Sequence, residues 1–185
     1  MCNRQFWGSS GCSRFYRLAR HRIYEIMDIK IKEINDEKEK RAIAREVLED
    51  LPEWFGIQES TEAYIKNSEK KPFLACFVDH QVAGFIVLKA SSKDCAEIFV
   101  MGVKKKFHRM GLGTNLLRAY EIKAKACGYS YSQVKTVKMG KYQEYDRTNL
   151  FYQARGYCEL ECFPTLWDEE NPCQIYVKYL KALTR

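Results

Sequence analysis

Between residues 95 and 127 the chain changes hydrophobic period once, at a pair of glycines. Cys95–Val103 is almost wholly apolar, as a strand buried on both faces is. Residues 112–127 then set Leu112, Leu116, Leu117, Tyr120 and Ala124 on one helical face, and Gly128 supplies a left-handed stop. The loop that separates the two runs Val103-Lys104-Lys105-Lys106-Phe107-His108-Arg109-Met110-Gly111-Leu112-Gly113-Thr114. A buried strand feeding a long amphipathic helix through so short a loop requires the helix to lie back on a sheet.

The flanking pattern supplies the rest of that sheet. Ile29, Ile31 and Ile34 alternate with charges and predict a first strand. Asn35 or Asp36 can cap a helix through Ala42, Ile43, Val47 and Leu48, which Pro52 stops. Residues 61–70 read as a short second helix with Ser60 as its cap. Residues 72–79 and 81–90 read as a hairpin turning at Asp79-His80. A strand over 130–138, a short helix over 146–155 closed by Gly156, and strands near 157–163 and 174–180 complete the order β-α-α-β-β-β-α-β-α-β-β. Hairpins combined with one strand–helix–strand crossover predict an α+β fold: a central mixed, mostly antiparallel sheet flanked by helices.

A chain of 185 residues suits one domain. We assign it to residues 27–185. Residues 1–26 hold five arginines and one acid and lack the continuous apolar stretch of a secretory signal. Their composition is shared with transit peptides, but Met27 directly precedes the first clean strand pattern, and 1–26 read as an extension outside the domain. Of the net charge of +7, that extension holds +4, which leaves too little elsewhere to argue for nucleic acid. The longest apolar runs, such as Phe73–Val78, are strand-sized, so no membrane span is expected. Eight cysteines form no CxxC pair and the three histidines are scattered, so no metal site is expected. Cysteines inside apolar runs point to a reducing compartment, and hence to the cytoplasm.

A strand, a basic glycine-containing loop and a helix start together suit a phosphate group. Glycines let the backbone approach, and unpaired N–H groups of the first turn point at the ligand. A dinucleotide fold is disfavoured by the missing third glycine and the preceding hairpin, and a P-loop by the absence of Gly-Lys-Ser/Thr. The run His108-Arg109-Met110-Gly111-Leu112-Gly113 resembles the signature Gln/Arg-x-x-Gly-x-Gly/Ala of the GNAT acetyltransferases, with His108 at the Gln/Arg position. The resemblance follows the element order over 28–180 and is specific over about 95–157. It implies that His108, Arg109, Met110, Gly111, Leu112, Gly113 and Thr114 wrap the pyrophosphate of acetyl-CoA. It further implies that the main chain of Met101, Gly102 and Val103 pairs with the pantetheine arm, with Asn149 on the same side.

Acetyl transfer to an amine needs a base for the attacking nitrogen and an acid for the departing thiolate. Glu97 is an acid inside an apolar strand, where burial would raise its pKa. It stands in an Ala-Glu-Ile run like that of the family's histone acetyltransferase branch, whose glutamate is the base. Tyr152, in Asn149-Leu150-Phe151-Tyr152-Gln153-Ala154-Arg155-Gly156-Tyr157, resembles the family's Tyr-x-x-x-Gly-Phe/Tyr acid. For the acceptor the aromatic loops offer Trp54, Phe55 and Trp167, and Asp168, Glu169 and Glu170 would attract a cationic amine. The expected partners are acetyl-CoA and a small amine, with no nucleic acid or membrane and with a homodimer admitted. The alternatives are a protein acetyltransferase, another acyl group, or an acyl-CoA-binding module without catalysis.

Overall fold

The computed structural model describes residues 27–180, so residues 1–26 lie outside it. Its elements are β1 (Ile29–Ile34), α1 (Glu37–Leu48), α2 (Gln58–Ser68), β2 (Phe73–Val78), β3 (Gln81–Ala90), β4 (Cys95–Val103), α3 (Leu112–Ala126), β5 (Tyr131–Val137), α4 (Gln143–Gln153), β6 (Cys158–Phe163) and β7 (Cys173–Tyr179). The described strands form one sheet in the order β1-β2-β3-β4-β5-β7-β6, with β4 and β5 the parallel neighbours. This is the expected α+β architecture. None of the described helices is long and apolar enough to cross a membrane.

Local chemistry explains most boundaries. The Asp36 side chain accepts from Glu39 N at 2.8 Å and caps α1. That helix ends at Leu48, ahead of Pro52, and Trp54 N and Phe55 N donate back to Leu51 O. Asp79 and His80 both take positive φ, which fits the two-residue hairpin turn. Two helices start earlier than the sequence suggests. α2 begins at Gln58, with Ser60 inside its first turn, because the Thr61 hydroxyl bonds Phe55 O and Ile57 O and extends the turn backwards. α4 begins at Gln143, and Asp146 instead accepts from Gly140 N and closes the preceding loop.

The sheet is covered on both faces. Leu112, Leu116, Leu117, Tyr120 and Ala124 of α3 pack on Ala96, Ile98 and Val134. On the other face Ile43, Val47 and Leu48 of α1 and Ile65 of α2 pack on Phe73, Phe85, Val87 and Val100. Two irregularities in β4 shape the molecule. Val87 pairs with Val100 and Leu88 with Ile98, which leaves Phe99 as a bulge. Pairing with β5 runs from Cys95↔Tyr131 to Ile98↔Val134 and stops, although both strands continue. Beyond Ile98 and Val134 the sheet splays into a wedge.

Candidate active site

The wedge exposes β4's main chain. Lys104 N donates to Ala83 O at 2.8 Å, so in this antiparallel register Lys104 and Gly102 direct their peptide groups at β3. Met101 and Val103 therefore direct theirs into the wedge. Gly102, expected beside them, directs its peptide groups at β3 instead, and its Cα lies close under α1, where a Cβ would be 2.9 Å from Val47 Cγ1.

At the open end of the wedge stands the glycine loop. Gly111 caps α3 at φ 79°, a left-handed conformation that favours glycine, and no side chain caps the helix. The first intrahelical bond is Asn115 N to Gly111 O, so the N–H groups of Leu112, Gly113 and Thr114 have no intrahelical acceptor. Gly113 lies under Phe151, whose Cε2 would be 3.3 Å from an added Cβ. Arg155 stacks on Phe151 at 3.9 Å and donates to Thr114 Oγ1 at 2.6 Å, which fixes α4 to the first turn of α3.

The basic run behaves differently from the simplest expectation. Lys104 pairs with Glu46, Lys105 pairs with Glu53 at 2.6 Å, and Lys106 donates to Gln81. Asp50 accepts from Lys105 N at 2.6 Å. These lysines moor the loop to α1, the turn after it and β3. Arg109, exposed and at φ 62°, has no ion pair among the described residues. The His108 ring turns back, and Nε2 donates to Val103 O at 2.6 Å; its edge meets Trp54 at 6.0 Å.

Glu97 lies at the closed base of the wedge. Ala96 and Ile98 face α3, so by strand alternation Glu97 faces the α1/α2 side. It is 6% exposed. Gln133 donates to Oε2 at 2.9 Å and Lys135 at 3.1 Å, while Lys89 reaches Oε1 at 3.4 Å. Burial pushes the carboxyl up, as the sequence predicts. The hydrogen bonds of Gln133 and Lys135 and the charges of Lys135 and Lys89 outweigh it, and the carboxyl is held below its ordinary value. The expected upward shift is therefore reversed.

Tyr152 belongs to the α3 side. Its ring meets Phe151 at 5.2 Å and Tyr157 at 5.6 Å, edge-on. Burial pushes its hydroxyl well above the ordinary tyrosine range, so it stays protonated at any working pH. Asn149, also buried, donates to Val137 O at 2.9 Å and Tyr145 O at 2.7 Å, which leaves its Oδ1 without a partner.

The aromatic loop residues divide. Tyr145 donates to Trp54 O at 2.8 Å, and Trp54 Nε1 donates to Thr148 at 3.1 Å. Phe55 meets Tyr64 at 5.9 Å, and Tyr64 meets Phe99 at 5.4 Å. These contacts form one wall from α4 through Trp54 and Phe55 to the bulge. Trp167 lies apart, 44% exposed, in the β6–β7 loop, where Asp168 is turned to Asn171.

The sequence model of the acetyltransferase (GNAT) family matches residues 40–157. The chain belongs to this family. A GNAT protein is an acyltransferase that uses acetyl-CoA, and this fold is shared with many solved members. A GNAT acetyltransferase from Elizabethkingia anophelis with acetyl-CoA bound is 17% identical, with 83% of this chain and 99% of that one covered, at a TM-score of 0.62. An aminoglycoside 6'-N-acetyltransferase complexed with coenzyme A is 16% identical over 82% and 97%, at 0.63. The ribosomal-protein-S18-alanine N-acetyltransferase of Escherichia coli is 14% identical over 85% and 96%, at 0.65. Among curated protein sequences none matches.

The residues of this GNAT chain fit an acyl-CoA. Uncapped N–H groups on α3 suit the pyrophosphate, the Met101 peptide group and the Val103 N–H on the open edge suit the amides of the arm (Val103 O is held by His108), and Asn149 Oδ1 lacks a donor. Sequence reasoning missed Lys89, Gln133 and Lys135, because three separate positions converge on Glu97 only through strand register. It also missed Phe151 and Arg155, although both sit inside the Tyr152 motif.

Proposed function

We propose that this GNAT protein transfers an acetyl group from acetyl-CoA to the primary amine of a small molecule, by direct attack on the thioester. The observation that carries this reading is the wedge, with Glu97 and Tyr152 on its opposite faces. Acetyl-CoA supplies a thioester carbon activated towards nucleophiles. Met101 and Val103 hold the pantetheine arm by their main chain, and the first turn of α3 holds the pyrophosphate, with Arg109 adding charge. Glu97 receives the proton of the acceptor nitrogen, directly or through water, as the C–N bond forms. Tyr152 gives a proton to the sulfur as the C–S bond breaks, and Asn149 holds α4 to the end of β5.

The side-chain wall of Trp54, Phe55, Tyr64 and Phe99 supports a small acceptor lodged against the bulge. The solved neighbours include an aminoglycoside and a protein acetyltransferase by name, so the acceptor reading rests on the wall. We assign the activity to residues 27–185 in the cytoplasm, acting without a metal.

Calorimetric titration of the full chain with acetyl-CoA tests the donor half, and thiol release with a panel of amines tests the transfer. Glu97→Gln is expected to lower kcat by about a hundredfold, with acetyl-CoA affinity unchanged. Undiminished turnover in that variant would remove Glu97 from the mechanism, and failure of the native chain to bind acetyl-CoA would remove the mechanism itself.

A further inference from the structure

The acceptor side of the wedge holds more positive charge than Glu97 neutralises. Lys71 Nζ stands 4.6 Å from the centre of the Phe99 ring, and Lys89 Nζ stands 5.8 Å from it. Lys89 and Lys135 share the single carboxylate of Glu97. Lys71 has no carboxylate partner among the described residues; its ammonium donates to the main-chain Asn67 O. Three ammonium groups thus gather around one buried acid and the bulged phenyl ring. Burial, and then the charge of Lys89, pull Lys71 below its ordinary value, as expected for a cation lacking its counter-ion. None of the three lysines belongs to the donor site, since the pyrophosphate loop lies at the other end of β4.

Resting on the acetyl-transfer reading above, we propose that the acceptor is an amine that carries its own carboxylate close to the nitrogen, as a free amino acid does. Such a zwitterion matches the cluster charge for charge. Its carboxylate pairs with the ammonium groups of Lys71 and Lys89 beside the Phe99 ring, and its ammonium takes the place beside Glu97 that a lysine now holds. The exchange frees one Glu97 oxygen to face the nitrogen that must lose its proton. A polycation such as spermidine meets three like charges at the same place. The acids at 168–170, which would favour a cation, lie in the exposed β6–β7 loop, where Asp168 is turned to Asn171.

The test is a thiol-release assay on the full chain with acetyl-CoA and matched pairs: L-glutamate, L-methionine and L-phenylalanine, each against its α-amide, with spermidine alongside. At least one free acid is expected to exceed its amide in kcat/KM by about tenfold or more. Lys71→Met with Lys89→Met should shrink that ratio to below about threefold, through KM, and Lys→Arg at both positions should restore it. Acetyl-CoA bound with no free amino acid accepted, amides or spermidine preferred, or a preference that survives the double substitution would each overturn the proposal. Absence of acetyl-CoA binding by calorimetry would instead mark failure of the parent reading, and the native matched pairs keep the test valid should the double variant not fold.

Discussion

Glu97 and Tyr152 are held by opposite means. The carboxylate is surrounded by donors and cations, whereas the Tyr152 hydroxyl has no hydrogen-bond partner among the described residues. Tyr152→Phe therefore removes no hydrogen bond of the fold. Its melting temperature should stay within about a degree or two of the native value, while kcat falls by about a hundredfold. A thermal melt set beside the thiol-release rate checks both halves. Glu97 was legible in the sequence because an acid in an apolar strand stands out. Its pKa direction was not, since Lys89 and Lys135 lie on neighbouring strands and only the register brings them to it. The loop lysines misled for the same reason: their charge is plain in the sequence, but the acids at Glu46 and Glu53 that engage them are about 50 residues away.

The element that carries the donor site is β4 with its loop and α3. The change of period at the glycines made this unit readable, including the buried face of α3 and the left-handed Gly111. The splay was not readable, because nothing in residues 95–103 says where pairing with β5 ends. Its consequence is an alternation along one strand. The amides of Gly102 and Lys104 face β3, and those of Met101 and Val103 face the wedge. In hydrogen exchange, Met101 and Val103 should exchange much faster than Gly102 and Lys104 in the free protein. Addition of acetyl-CoA should slow the first pair and leave the second unchanged. Equal protection of all four before addition would contradict the register argument.

The molecule as a whole is two covered sheet halves joined by four β4–β5 residue pairs. Glu97 sits at that junction, tied to β3 through Lys89 and to β5 through Gln133 and Lys135. Its folded carboxyl lies below the ordinary glutamate value of 4.5, so the unfolded chain binds more protons near that pH. The stability it contributes is present above that value and is lost as pH falls through the folded pKa. Melting temperature measured between about pH 3 and 7 should therefore drop at the acid end, and Glu97→Gln should flatten the drop. Glu53 and Glu62 are shifted down as well, but both are exposed and add little. The element order was legible at this scale because each element carries its own pattern. The sheet's contact faces were legible too, while the wedge, which is a failure of pairing, left no pattern of its own.

The free edge at Met101 and Val103 has a further consequence, for how such a protein drifts. A donor gripped through peptide groups places almost no demand on the letters at those two positions, provided that neither is proline, which has no N–H to offer. The acceptor side is built from side chains, so a handful of substitutions there would alter the clientele. A lineage of this design can keep one fuel and exchange its customers.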